Sequence, residues 1–238
     1  MAGSETGQAL VITGTTGSGK TTTSGRFVAG MDALWLHFGV DLFMGKVVPR
    51  QFVDGGPRDH EGLHMVPDDP ANPEGGRHMV LGHLGPQMLR TFHRMAAEGV
   101  RQGARIVLDH VCTFDPPLLA DLLDAFRGLP VTFVCLKPAP EVVPARIDAR
   151  LPSIVAALGE EHGRRANDNT RLVSQYMARE IYAHDCFDLV VDTGLHPPAA
   201  VVRQIAARLA AGPGTAFAEL TRRLDAGEAP FAGKPRVL

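Results

Sequence analysis

The chain has 238 residues, 45% of them hydrophobic and 21% charged, and carries a formal net charge of -2. That length suits one well-buried α/β domain and is short for two. The near-neutral balance supplies no basic surface for nucleic acid or an anionic membrane, which excludes both as expected partners.

In chain order, Leu10–Thr13 reads as a strand running into a glycine-rich loop, and a helix follows from about Lys20 to Ala29. Leu34–Phe38 reads as a second strand. From Pro86 to Arg101, Met88, Leu89, Phe92, Met95, Ala96 and Val100 share one face at three- and four-residue spacing, which predicts a helix with Gly103 at its C-cap. Arg105–Asp109 is a third strand, Pro116–Phe126 a helix and Val131–Leu136 a fourth strand. A helix from about Pro140 towards Arg150, another over Asn169–His184, a fifth strand over Phe187–Val191 and a helix over Pro198–Ala210 complete the alternation. Nearly continuous Val, Ile and Leu strands between helices predict a three-layer α/β/α sandwich around a five-stranded parallel sheet. Ligands in such sheets bind beyond the carboxyl ends of the strands.

Two stretches break the rhythm. Gly45–His83 holds seven Gly and five Pro and is expected to be an irregular substrate-side insert. Pro152–Asp168 is expected to be a second irregular segment, part of a lid spanning about 146–170. This places the domain at residues 1–212, with a C-terminal tail at 213–238 that carries one short helix over Phe217–Leu224.

The loop Gly14-Thr15-Thr16-Gly17-Ser18-Gly19-Lys20-Thr21 carries the strongest chemical signal. Its glycines let backbone N–H groups turn inward around a β-phosphate, and the following helix presents its positive end. Lys20 reaches the β/γ oxygens, the Thr21 hydroxyl suits Mg²⁺, and Thr22 belongs to the same first turn. The expected cofactors are therefore ATP and Mg²⁺. A guanine-reading N/T-K-x-D is absent from the sequence, and the chain is short for an ATP motor, so the pattern favours a small-molecule kinase.

Asp41 follows the second strand and lies beside the phosphate loop. A carboxylate there can accept the proton of an incoming hydroxyl, and it can equally cap the next helix. Trp35-Leu-His-Phe-Gly-Val-Asp41, the Gly103–Asp109 strand and Phe187-Asp-Leu-Val-Val-Asp192-Thr193 resemble the chloramphenicol phosphotransferase family over roughly residues 8 to 210. That resemblance implies a P-loop kinase that phosphorylates a hydroxyl of a small molecule such as chloramphenicol, with Asp41 as the base. It implies acidic residues after the third strand, where this chain has Asp109 as a candidate Mg²⁺ carboxylate and His110 in place of a second acid.

The resemblance also implies lid arginines. Guanidinium groups suit the charge that spreads over a transferring phosphoryl group. Arg146 and Arg150 are the catalytic candidates and Arg171 a nucleotide-binding one, with Arg164 and Arg165 nearby. His60, His64, His78 and His83 lack zinc-type spacing, so no metal site is expected among them. Leu42, Phe43 and Met44 could line an apolar acceptor pocket or simply pack in the core. Two alternatives accompany the antibiotic kinase: a zeta-toxin-like or metabolite kinase acting on a sugar or nucleotide-sugar, and a nucleotide-dependent switch whose hydrolysis drives partner binding.

Met1 to Gln8 has neither the basic nor the apolar region of a signal peptide. No apolar run reaches the ~18 residues of a membrane span. Cys112, Cys135 and Cys186 form no CxxC pair and read as thiols of a cytoplasmic protein. Nothing in the pattern selects between a monomer and a homo-oligomer.

Overall fold

The computed structural model describes residues 7–238. Residues 1–6, which include most of the stretch read for a signal peptide and the start of the expected domain, lie outside the described residues. In chain order the elements are β1 (Gln8–Thr13), α1 (Lys20–Gly30), β2 (Leu36–Gly39), α2 (Val40–Lys46), β3 (Leu63–Pro67), β4 (Arg77–Leu81) and α3 (Gly85–Arg101). Then follow β5 (Arg105–Asp109), α4 (Leu118–Ala125), β6 (Val131–Leu136), α5 (Val142–Asp148), α6 (Leu151–Leu158), α7 (Glu160–Ile181), β7 (Leu189–Val191), α8 (Pro198–Ala210) and α9 (Ala216–Ala226).

Five strands form a parallel sheet in the order β2-β5-β1-β6-β7. Strand alternation sends successive side chains to opposite faces. Val11, Ile106 and Leu108 enter one core with Phe92 of α3, Phe126 beside α4 and Phe217 of α9. Leu10, Ile12 and Val107 enter a second core with Phe27 of α1 and Val201 and Ile205 of α8. Helices therefore cover both faces, giving the three-layer α/β/α sandwich expected from the sequence. Burying each large apolar side chain of these cores contributes about 1.5–3 kcal/mol. The tail residues belong to the first core, since Phe217, Leu220, Leu224 and Phe231 are all buried there.

The structure departs from the expected elements in several places, among them α2, which was not expected, and β7, which starts at Leu189 rather than Phe187. The second strand starts at Leu36 and ends at Gly39; Leu34 is 79% exposed, while Trp35 turns inward onto Phe27 with ring centroids 5.1 Å apart.

The insert expected to be irregular contains an antiparallel pair, β3 with β4, in which Leu63 faces Leu81 and Met65 faces Met79. Each strand is only five residues long, so its alternation is hidden among the surrounding Gly and Pro. Leu63 and Met79 enter the first core, and Arg77 ties the hairpin to α7 through a 2.9 Å hydrogen bond to Asn169 Oδ1.

The segment at 152–168 is helical rather than irregular: α6 and α7 form a helical hairpin across Gly159, whose φ is 82°. The buried face of α7 begins with Gly163 and Asn167 and becomes apolar only towards Met177 and Ile181, so its first half lacks a hydrophobic period. Gly163 permits the two helices to touch, because a Cβ there would lie 2.8 Å from Val155 Cα. Glu160 and Glu161 favour the helix N-terminus, and Glu160 pairs with Arg164 one turn on.

Candidate active site

The phosphate loop connects β1 to α1 at the carboxyl edge of the sheet. Gly14 has φ 151°, and a Cβ there would meet Leu136 O at 2.5 Å, so no larger residue fits beside β6. Gly17 has φ 84° and packs on Val143 of α5. Lys20 is buried, with Nζ 2.8 Å from Gly14 O and 3.2 Å from Thr15 O, which keeps the ammonium at the mouth of the loop.

Helix α7 braces the same loop. Thr15 Oγ1 donates to Ser174 O at 2.6 Å, Thr16 Oγ1 approaches Met177 Sδ at 3.3 Å, and Thr15 N–H donates to Tyr182 Oη at 3.2 Å. The Tyr182 hydroxyl in turn donates to Leu136 O at 2.8 Å, so one side chain joins β6 to the loop.

Thr21, in the first turn of α1, donates to Asp109 Oδ2 at 2.8 Å. Asp109 ends β5 and is 4% exposed. Burial raises its carboxyl above the ordinary value; Lys20 and the Thr21 hydrogen bond pull it back down, Asp41 raises it and His37 lowers it. Asp41 sits in the first turn of α2, one strand outward from Asp109, and is exposed. A carboxylate in a first helical turn is favoured by the helix dipole. His37, on β2, places Nε2 4.0 Å from Asp109 Oδ2, and that nitrogen has no hydrogen-bond partner among the described residues. Lys20, Thr21, His37, Asp41 and Asp109 thus form one polar cluster around the end of β5.

The arginines expected in a lid occupy the opposite side of the loop from Asp41. Arg146 donates to Thr193 O at 2.6 Å, to Thr193 Oγ1 at 2.9 Å and to Gly17 O at 3.3 Å. Thr193 Oγ1 in turn donates to Ser18 O at 2.8 Å, which completes a bridge from α5 to the loop. Arg146 and Arg150 border a cleft of about 670 Å³ whose walls include Gly19 and Thr22 of the loop side and Leu195 and Val201 at α8. Arg171 makes a two-point ion pair with Asp148, with Nη2 to Oδ2 at 2.5 Å and Nε to Oδ1 at 2.8 Å, tying α7 to α5. These hydrogen bonds hold the Asp148 carboxyl below its ordinary value.

The histidines of the insert are dispersed. His78 pairs with Asp68 at 2.8 Å, and His83 lines a groove on the outer side of α3. Sequence reasoning passed over His37, Ser174, Met177, Tyr182 and Thr193 as site residues. Thr193 was within reach of it, because it closes the motif Phe187–Thr193. Ser174, Met177 and Tyr182 lie on a helix whose fold partner, 160 residues away, no local pattern names.

A glycine loop on the first strand of a parallel sheet, followed by a helix that opens with Lys20 and Thr21, defines a P-loop protein. The sequence profile of the chloramphenicol phosphotransferase-like proteins matches residues 7–210, and the chain belongs to that family. No curated protein matches the chain.

Among solved structures, the chain is similar in fold to a putative kinase from Chloroflexus aurantiacus J-10-fl. The two share 16% identity with a TM-score of 0.51, over 88% of this chain and 100% of that one. It is similar also to a sugar kinase from Janibacter sp. HTCC2649, at 18% identity and a TM-score of 0.51, over 85% of this chain and 94% of that one. No helix among the described residues is long and apolar enough to cross a membrane.

Proposed function

We propose that the protein transfers the γ-phosphate of Mg²⁺-ATP to a hydroxyl of a small organic molecule, with chloramphenicol or a related antibiotic as the acceptor. The observation that carries this reading is the polar cluster itself: Lys20, Thr21 and Asp109 meet at the loop mouth, and Asp41 stands one strand away. The antibiotic acceptor rests on family membership.

The donor set at Thr21 and Asp109, a hydroxyl and a buried carboxylate, is the oxygen chemistry that Mg²⁺ takes. When bound, the metal offsets negative charge on the β- and γ-phosphate oxygens. Lys20 does the same as a point charge. In the transfer step the acceptor oxygen attacks the γ-phosphorus, the bond from that phosphorus to the bridging oxygen breaks, and ADP leaves. Asp41 takes the acceptor's hydroxyl proton. Because the reaction leaves little covalent work for the protein, positioning and electrostatics supply most of the rate.

Arg146 and Arg150 take the nucleoside side in this reading, since their cleft lies across the loop from Asp41. Arg171, now paired to Asp148, serves the nucleotide from the lid. A cytoplasmic location follows from the same reading, because ATP is the donor.

Incubation with γ-labelled ATP and a panel of hydroxylated antibiotics, sugars and nucleotide-sugars tests the reading. Label transferred to chloramphenicol or a related antibiotic is the expected result. Label on a sugar alone replaces the acceptor, and ATP hydrolysis with no labelled small molecule overturns the kinase reading.

A further inference from the structure

His93, His110 and Asp121 form a buried hydrogen-bonded chain that phosphoryl transfer, as described above, does not use. His93 and His110 are fully buried and Asp121 is 7% exposed. Asp121 Oδ2 lies 2.5 Å from His93 Nδ1, and His93 Nε2 lies 2.9 Å from His110 Nε2. The chain therefore runs from α4 through α3 to the residue that follows Asp109 at the end of β5.

The chemistry fixes the direction of its two hydrogen bonds. Asp121, flanked by Arg94 at 3.4 Å and Arg90 at 3.7 Å, is the acceptor, so His93 Nδ1 carries a hydrogen. Burial pushes the His93 imidazole towards the neutral form, outweighing the pull of Asp121. A neutral His93 then has only a lone pair at Nε2, and His110 Nε2 must donate to it. The other His110 nitrogen, Nδ1, lies 3.9 Å from Cys112 Sγ, a thiol whose pKa burial pushes up to about 12. Each ring is thus held in place, and His110 also stacks on Phe92 with centroids 5.7 Å apart.

Asp109 and His110 are consecutive residues at a strand end, so their side chains leave opposite faces of the sheet. His110 points into the α3 layer with Phe92 and His93, while Asp109 points towards Thr21 of α1. The His110 N–H also donates to Ile12 O at 3.0 Å, tying the same peptide to β1 just before the phosphate loop. A ring locked on one face fixes the pleat that aims the carboxylate on the other. Without that lock the Asp109–His110 peptide can shift, and Asp109 has a single hydroxyl donor to hold it.

We infer that His93 and His110 are positioning residues for the Asp109 carboxylate, holding it from the far face of the sheet where it meets Thr21. The inference rests on the Mg²⁺-ATP reading of Thr21 and Asp109. Outer-shell partners of a metal site are typically worth 10- to 100-fold in metal affinity.

The test is titration of a fluorescent ATP analogue into wild type and variants, once with EDTA and once with excess Mg²⁺, after circular dichroism shows each to be folded. His93→Phe keeps an aromatic ring in the site and removes both hydrogen bonds. It should retain the EDTA affinity and lose roughly 10-fold of the gain that Mg²⁺ brings. Asp121→Asn keeps an acceptor for His93 and should retain that gain. Equal losses with and without Mg²⁺, or an undiminished Mg²⁺ gain, would overturn the inference. If His93→Phe does not fold, Asp121→Ala, which breaks the outer link together with the Arg90 and Arg94 pairs, is read by the same two criteria. A wild type that gains nothing from Mg²⁺ instead refutes the metal reading of Thr21 and Asp109.

Discussion

Thr21 Oγ1 and Asp109 Oδ2, 88 positions apart in the chain, meet at 2.8 Å and join the first turn of α1 to the end of β5. This pair brings a hydroxyl and a carboxylate to the mouth of the phosphate loop. Asp109→Asn keeps the shape and removes the charge, so kcat should fall by roughly 100-fold or more, the loss expected when a metal's charge stabilisation is removed. Steady-state kinetics across Mg²⁺ concentrations measure it; an unchanged kcat with an unchanged Mg²⁺ dependence would remove Asp109 from the site.

Asp41 stands apart from that pair, exposed and in the first turn of α2. As the base it should be dispensable for nucleotide binding and needed for transfer. Asp41→Asn is expected to lower kcat by roughly 10²- to 10⁴-fold with little change in ATP affinity, the range for loss of a general base. A variant that transfers phosphate at the wild-type rate refutes the assignment.

Arg146 grips Thr193 and Gly17 rather than reaching towards Asp41. Its removal should therefore act on ATP affinity more than on the chemical step. For Arg146→Ala, KM for ATP should rise about 10- to 100-fold, matching one or two hydrogen bonds from a charged group, with a smaller change in kcat. Arg146→Lys should not restore affinity, because an ammonium cannot make the same forked contacts. A loss confined to kcat would return Arg146 to the transfer end.

The Tyr182 hydroxyl bridges Leu136 O and Thr15 N–H, and burial pushes its phenol upwards. Tyr182→Phe leaves two backbone groups short of a partner, at a cost of about 1–3 kcal/mol. Urea denaturation reads this directly, and the same variant should loosen the phosphate loop and weaken ATP binding. Full stability with full ATP affinity would show that the bridge is incidental.

His184 gives the fold a specific acid sensitivity. Its ring stacks on Phe187 at 4.3 Å and Nδ1 accepts from the Cys186 N–H at 3.2 Å. Burial lowers its pKa to about 4, with Asp185 raising it and Arg223 lowering it. Above pH ~6.5 the ring is neutral in folded and unfolded chains alike, and its contribution to stability is complete. As pH falls from ~6.5 towards 4 only the unfolded chain binds the proton, so up to about 3 kcal/mol is lost over that window. Denaturation of wild type and His184→Phe at pH 7 and pH 4.5 checks this. The variant should lose less on acidification; parallel losses would place the sensitivity elsewhere, at His93 or His110.

The legible parts of this protein are those written in contiguous residues. The phosphate loop needs only a strand, three glycines and the Lys20-Thr21 pair, all within one stretch, and Asp41 follows directly from its own strand end. Near-continuous apolar runs gave the sheet for the same reason, since each strand carries its own burial pattern. The α6–α7 hairpin was illegible because the buried face of α7 opens on Gly163 and Asn167, which pack by being small or hydrogen-bonded rather than apolar. The β3–β4 hairpin was illegible because five-residue strands lie among seven Gly and five Pro.

The sequence by itself determined a P-loop α/β fold and the residues around Lys20 and Thr21, because local backbone geometry and side-chain period are properties of neighbours in the chain. Only the tertiary structure decided that Asp109 closes on Thr21, that Arg146 turns to Thr193, and that His110 reaches Asp121 through His93. Those contacts join residues tens of positions apart, and strand order and helix packing, which place them, are set by the burial of the whole core.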